Sequence, residues 1–207
     1  WTDSNVVSEY HYRLHLVKDD IPSNADTVYY PMDFNANDES GNNQDATAYN
    51  VDFSGYDYYH MDGRIKGAVK FHSSSNSTYV RIPNFSISGN DCLAFGGWLY
   101  HDGSGNESVL GDAAQNNTVG YIWTYFTGTQ LNFQYARSGS TRATATWSGI
   151  WSGYANTWTH LFVVADYSAK TVTAYINGID VNTVTMTGTP VFPSTTRYRY
   201  IGKYRTS

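Results

Sequence analysis

Apolar and polar positions alternate with a period of two through much of this chain, the spacing of a strand with one face buried. Tyr10, Tyr12, Leu14 and Leu16 interleave with His11, Arg13, His15 and Val17. Tyr121, Trp123 and Tyr125 interleave with Ile122, Thr124 and Phe126, and Leu131, Phe133 and Tyr135 repeat the pattern. Residues 80–83 form a short apolar segment and residues 93–100 an aromatic run. Residues 160–165 are continuously apolar after His160, which predicts a strand buried on both faces. The clearest hairpin spans residues 171–186. Val172, Ala174 and Ile176 share one face, Asn177-Gly178 supplies the φ > 0 pair of a type I′ turn, and Ile179-Asp180-Val181 leads away. Residues 166–170 form the turn that joins this hairpin to the preceding strand. No segment keeps a helical period for more than about ten residues. Many short strands between polar turns predict an all-β fold, a two-sheet antiparallel sandwich or jelly roll.

Composition narrows the function. The 207 residues suit one all-β domain. Only 15% are charged, against a usual share of about 25%. There are 19 Tyr, 18 Gly and 6 Trp, while Glu occurs only at Glu9, Glu39 and Glu107. No apolar run approaches the ~20 residues of a membrane span. The formal charge of −5 argues against a nucleic-acid partner, which selects a basic face. Cys92 is alone, so neither an intramolecular disulfide nor a cysteine zinc site can form.

Residues 29–45, YYPMDFNANDESGNNQD, carry a more specific signal. They resemble the opening of laminin-G-like modules of the concanavalin A-like lectin/glucanase superfamily, which reads Y-x-F-D-x-N-x-x-D-x-S-G-N-x-x-D-G. Tyr30, Asp33, Asn35, Asn37, Asp38, Ser40, Gly41, Asn42 and Asp45 fall in register. Gly67-Ala68-Val69-Lys70-Phe71, Tyr79-Val80-Arg81-Ile82-Pro83, Thr157-Trp158-Thr159-His160-Leu161 with Tyr175-Ile176-Asn177-Gly178, and Arg199-Tyr200-Ile201-Gly202 resemble four later blocks in the family's order. The resemblance implies a concanavalin A-like jelly roll over residues 28–207 and places Trp158 in the core. Such modules end on a further strand reading like G-x-I-D-E-V-R-I-Y, which does not follow Gly202 here. Residues 1–27 either supply a strand that completes the sandwich in a permuted arrangement or form an added edge or arm that meets a neighbouring chain.

Catalysis is not expected. Glucanases of this superfamily set carboxylates two or four residues apart on one strand, because such positions share a face and hydrolysis needs two carboxyls at defined separation. No two Glu here lie close in sequence. Cys92 borders an apolar run and reads as a buried structural thiol rather than a nucleophile. His11 and His15 would sit roughly 13 Å apart on a strand, too far for one ion, and read as solvent-facing.

Two candidate sites remain. Asp33, Asn35, Asn37, Asp38, Asn42, Asn43 and Asp45 gather hard oxygen donors around Gly41. That donor set suits Ca²⁺, and the family often holds calcium near this loop. The set carried forward is Asp33, Asp38, Asn42 and Asp45, with Asp33 and Asp38 foremost. The same residues also suit turn capping through side chain to backbone bonds, and both readings stand. For glycan stacking, the loop of residues 147–158 offers Trp151 and Tyr154 as the more exposed aromatics, with Trp147 third, and a second loop offers Tyr58 and Tyr59. The expected function is a non-catalytic binding module at an extracellular, cell or virion surface, recognising a polysaccharide or glycoprotein glycan. A structural decoration or assembly subunit of a phage virion or surface filament, meeting neighbouring chains through its aromatic loops or the N-terminal arm, is the alternative. A glycoside hydrolase lacking the usual Glu pair stands third.

Overall fold

The computed structural model describes residues 28–32, 35–54, 68–71, 78–83, 92–112, 120–137, 141–191 and 198–202. Tyr10–Leu16 alternation, the N-terminal segment, Asp33, Tyr58 and Tyr59 all lie outside the described residues. Among the described residues there are strands and turns but no helix.

A seven-stranded antiparallel sheet has the order β1 (Thr47–Tyr49), β4 (Tyr79–Ile82), β13 (Arg199–Ile201), β6 (Asn106–Asp112), β7 (Ile122–Thr127), β8 (Gln130–Ala136), β9 (Arg142–Trp147). A four-stranded antiparallel sheet has the order β12 (Ile179–Thr185), β11 (Thr171–Ile176), β10 (Trp158–Asp166), β5 (Cys92–Tyr100). β2 (Asp52–Ser54) and β3 (Ala68–Lys70) pair separately. The all-β, two-sheet expectation therefore holds, and the hairpin at Asn177-Gly178 turns as its sequence dictates, with φ of 51° and 80°.

The core lies between the two sheets. Ile82, Leu110, Ile122, Phe126, Leu131 and Phe133 point inward from the large sheet, and Leu161, Val163, Ala165, Val172, Ala174 and Ile176 from the small one. Each Val, Leu, Ile or Phe among them contributes roughly 1.5–3 kcal/mol by leaving water. β6 and β9 were not anticipated, because Gly, Ser, Glu and Asp interrupt one and Thr and Ala dilute the other.

Three sequence expectations need correction. β10 alternates in burial instead of being covered on both sides: Leu161, Val163 and Ala165 enter the core while Trp158, His160 and Phe162 face outward. Among the described residues no layer covers this face, where Phe162 is exposed. Trp158 consequently leaves the core and meets Tyr100 edge to face at 5.8 Å. Cys92, read as buried, is exposed at the start of β5, opposite Asp166.

Candidate functional site on the seven-stranded sheet

The aromatic loop chosen from sequence turns inward. Trp151 is 0% exposed and Trp147 4%. Trp147 ends β9, opposite Leu131, and donates its indole N–H to Asn182 O at 3.1 Å. Trp151 closes one end of the sandwich against Phe126 at 4.8 Å, held by its backbone N–H on Thr129 O at 3.0 Å. Both were expected to be exposed, and burial removes them as stacking surfaces. Successive tight turns at residues 149–157 coil the loop so that its largest side chain drops into the gap between the sheets. Tyr154 is half-buried and packs on Trp151 at 5.9 Å.

The acidic loop is organised around Asp38. Its Oδ1 accepts from the backbone N–H of Tyr29 and Ser40 (3.0 and 2.9 Å), and its Oδ2 from Ser40 Oγ and Gln44 N (2.8 and 3.0 Å). Burial pushes this carboxyl up, but the four donors outweigh it and hold it below the usual range. Asp45 Oδ1 accepts from Asp38 N at 2.9 Å, and Tyr30 Oη donates to Gln44 O at 2.7 Å. A carboxylate saturated by four N–H and O–H donors has no lone pair aimed at a cation. The described part of the loop thus makes the side chain to backbone capping bonds that its residues also suit. Asn42 lies in the same loop, with its backbone N–H on Ser40 Oγ at 3.2 Å.

The outer face of the seven-stranded sheet carries what sequence reading missed. Strand register aligns one transverse row across all seven strands: Thr47, Arg81, Tyr200, Gly111, Trp123, Gln134 and Thr144. Partners in register share a face, so these seven positions point away from the core. Trp123 lies over Gly111, where an added Cβ would come within 2.7 Å of Cδ1. It stacks on Tyr125 at 3.9 Å and donates its indole N–H to Ser108 Oγ at 3.0 Å. Val191 also packs here, and Trp123 is nearly covered. Towards β9 the side chains tie one another down: Gln130 and Thr146 both donate to Asn132 Oδ1, and Arg142 donates to Gln134 Oε1.

Towards β1 the face is open and aromatic. Tyr49 stacks on Tyr79 at 4.6 Å, and Tyr79 meets Tyr200 edge-on at 5.1 Å. The Arg81 guanidinium sits 5.2 Å from the Tyr49 ring centroid and 4.8 Å from that of Tyr198. Tyr49, Tyr79, Arg81 and Tyr200 are half-buried and Tyr198 is 48% exposed. Burial pushes the Tyr200 hydroxyl up and Tyr79 adds to this, while Arg81 opposes it. The Y-V-R-I and R-Y-R-Y-I stretches carry the signal in sequence, but only the pairing of β4 with β13 and β1 brings their alternate residues together.

One buried ionisable group links the two sheets. His101 follows β5 and stacks on Phe126 at 4.4 Å. Its Nδ1 donates to Glu107 Oε2 at 2.7 Å and its Nε2 to Gly128 O at 3.0 Å. A doubly protonated ring satisfies both contacts at once. Burial pushes its pKa down, but the Glu107 bond, the Gly128 carbonyl and the Asp102 charge prevail and raise it. Together with Asp102, these side chains place ligand-type atoms within 4.8 Å of one another. With the ring protonated, the 2.7 Å contact to Glu107 is an ion pair.

The two antiparallel sheets packed over one core define a β-sandwich of the concanavalin A-like class. A family model described as Concanavalin A-like lectin/glucanases superfamily, of the laminin-G type, matches residues 74–207. The chain belongs to that family. No curated protein sequence matches it. Among solved structures it is similar to the botulinum neurotoxin serotype G binding domain (13% identity, TM-score 0.55, 80% of this chain and 43% of that one). It is also similar to the binding domain of botulinum neurotoxin DC, solved with rat synaptotagmin II (15% identity, TM-score 0.57, 81% and 41%) and with SialylT (14% identity, TM-score 0.54, 82% and 40%). At these identities the likeness is one of fold, and the chain spans under half the length of each.

Proposed function

We propose that the protein is a non-catalytic, surface-acting module that recognises a glycan through the open, tyrosine-rich half of the outer face of its seven-stranded sheet. The observation that carries this reading is the cluster of Tyr49, Tyr79, Tyr198 and Tyr200 around Arg81. Flat rings offer the C–H faces of a sugar a stacking surface, and phenol and guanidinium groups serve its hydroxyls. The concanavalin A-like family supports the reading, as does the placement of the two described Glu residues. Glu39 lies in the opening loop and Glu107 is bound to His101, so they do not form a facing carboxyl pair. The partner is a polysaccharide or glycoprotein glycan at an extracellular, cell or virion surface. No helix among the described residues is long and apolar enough to cross a membrane.

A glycan array probed with wild type, Tyr79→Ala, Tyr198→Ala and Phe162→Ala tests the site. The tyrosine variants should lose up to about tenfold in affinity, as an aromatic contact of roughly 1 kcal/mol implies, and Phe162→Ala should bind as wild type. Loss only in Phe162→Ala would move the site to the other sheet. The exposed aromatics there, Tyr100 and Phe162, favour a second reading as an assembly surface for a neighbouring subunit.

A further inference from the structure

Resting on the glycan reading, we infer that Arg81 is a specificity residue that selects carboxylate-bearing sugars over neutral ones. Four observations converge on it. The guanidinium is held between the Tyr49 and Tyr198 rings, and among the described residues no carboxylate or carbonyl takes up its N–H groups. Arginine presents a planar fork that fits a carboxylate with two parallel hydrogen bonds. Contacts with rings at the strands on either side of β4 restrict the guanidinium, so less side-chain freedom is lost when an anion arrives.

The charge pattern of the face points the same way. The chain as a whole carries a formal charge of −5. Yet the described strand positions that face outward from the seven-stranded sheet include Arg81 and Arg142 and no Asp or Glu. Glu107 and Asp112, the acids of β6, pair with Phe126 and Arg199 on the inward side. A surface cleared of carboxylates on an acidic protein lowers the repulsion that an anionic ligand would meet. Arg81 also lies in the transverse row beside Tyr200, so a sugar ring stacked on the tyrosines would carry its carboxylate to the guanidinium.

Two sources share this chemistry, a uronate within a polysaccharide and a terminal sialate. Titration calorimetry on the full chain separates them with oligogalacturonate and its carboxyl-reduced form in one arm, and 3′-sialyllactose and lactose in the other. In at least one arm the acidic probe should bind about tenfold tighter than its neutral partner, the value of one charge-assisted pair. Arg81→Gln should abolish that preference while neutral binding persists, and Arg81→Lys should keep part of it, since the charge remains but the fork is lost. Raised salt should weaken acidic binding selectively. Equal binding of acidic and neutral probes, with both weakened in Tyr198→Ala, would overturn the role of Arg81 and leave the tyrosine platform standing. Binding of no probe, or binding indifferent to Tyr79→Ala and Tyr198→Ala, would overturn both. Melting curves of Arg81→Gln and Arg81→Lys verify that any loss occurs in a folded chain.

Discussion

The two outer faces of this sandwich are both aromatic, and they differ in what the rings surround. On the four-stranded sheet, Trp98 meets His160 at 5.4 Å, His160 meets Phe162 at 6.5 Å and Phe162 meets Tyr175 at 6.4 Å. These rings pack on one another, Trp98 with His160 and Phe162 with Tyr175 as cross-strand pairs and His160 with Phe162 along β10. The described outward positions there hold Asp166 opposite Cys92 and Asp180 opposite Tyr175, with no Lys or Arg. On the seven-stranded sheet the open rings instead enclose a guanidinium. Aromatic content alone therefore does not mark a binding face. The charged group that the rings are built around distinguishes a surface suited to an acidic, hydroxyl-rich ligand from one suited to packing.

The largest expected effect tests whether either face is the right place to look. Trp151→Ala should cost about 3–5 kcal/mol, as for other buried aromatics, seen as a large drop in melting temperature. A stable Trp151→Ala variant that had lost glycan binding would put the site at the end of the sandwich and void the comparison.

Each face also has a glycine beneath a ring, and here the faces should diverge. At Gly96 an added Cβ would strike the Leu161 carbonyl oxygen and come within 2.6 Å of Phe162 Cδ2. Backbone cannot step aside, so Gly96→Ala should lose roughly 1–3 kcal/mol. At Gly111 the obstacle is the Trp123 ring alone, which can lift at the cost of its bond to Ser108 Oγ. Gly111→Ala should therefore lose only about 1 kcal/mol and shift tryptophan fluorescence. Equal costs would show that the two rings are equally fixed.

The smallest effect concerns the joint between the sheets. The folded pKa of His101 is raised, so its ion pair with Glu107 contributes fully below the unfolded value of about 6.5 and is lost as pH rises through the folded value above that. The melting-temperature gap between wild type and His101→Gln should be widest near pH 5.5 and shrink towards pH 9, where each kcal/mol corresponds to about 2–4 °C. A gap independent of pH would mean that the ring acts through its stack on Phe126 alone.

Sequence alone determined the fold class, the positions of most central strands along the chain and the family. Alternation fixes which residues of β7, β8 and β11 share a face, because the side-chain period of a strand is two whatever lies around it. The Asn177-Gly178 turn was equally legible, since its backbone angles are a local property. The opening loop was legible as a cluster of oxygen donors, but whether Asp38 would spend its oxygens on a cation or on four protein donors depends on where Tyr29 and Gln44 lie. Only the tertiary structure decided which aromatics are buried. Trp151 and Trp158 are seven residues apart in one segment, and the first plugs the core while the second faces outward. Nor could the chain itself show that Tyr49, Tyr79, Arg81, Tyr198 and Tyr200 converge, since three separate strands and a preceding residue supply them. Periodicity assigns a side to each residue, but pairing between distant strands decides which sides become one surface.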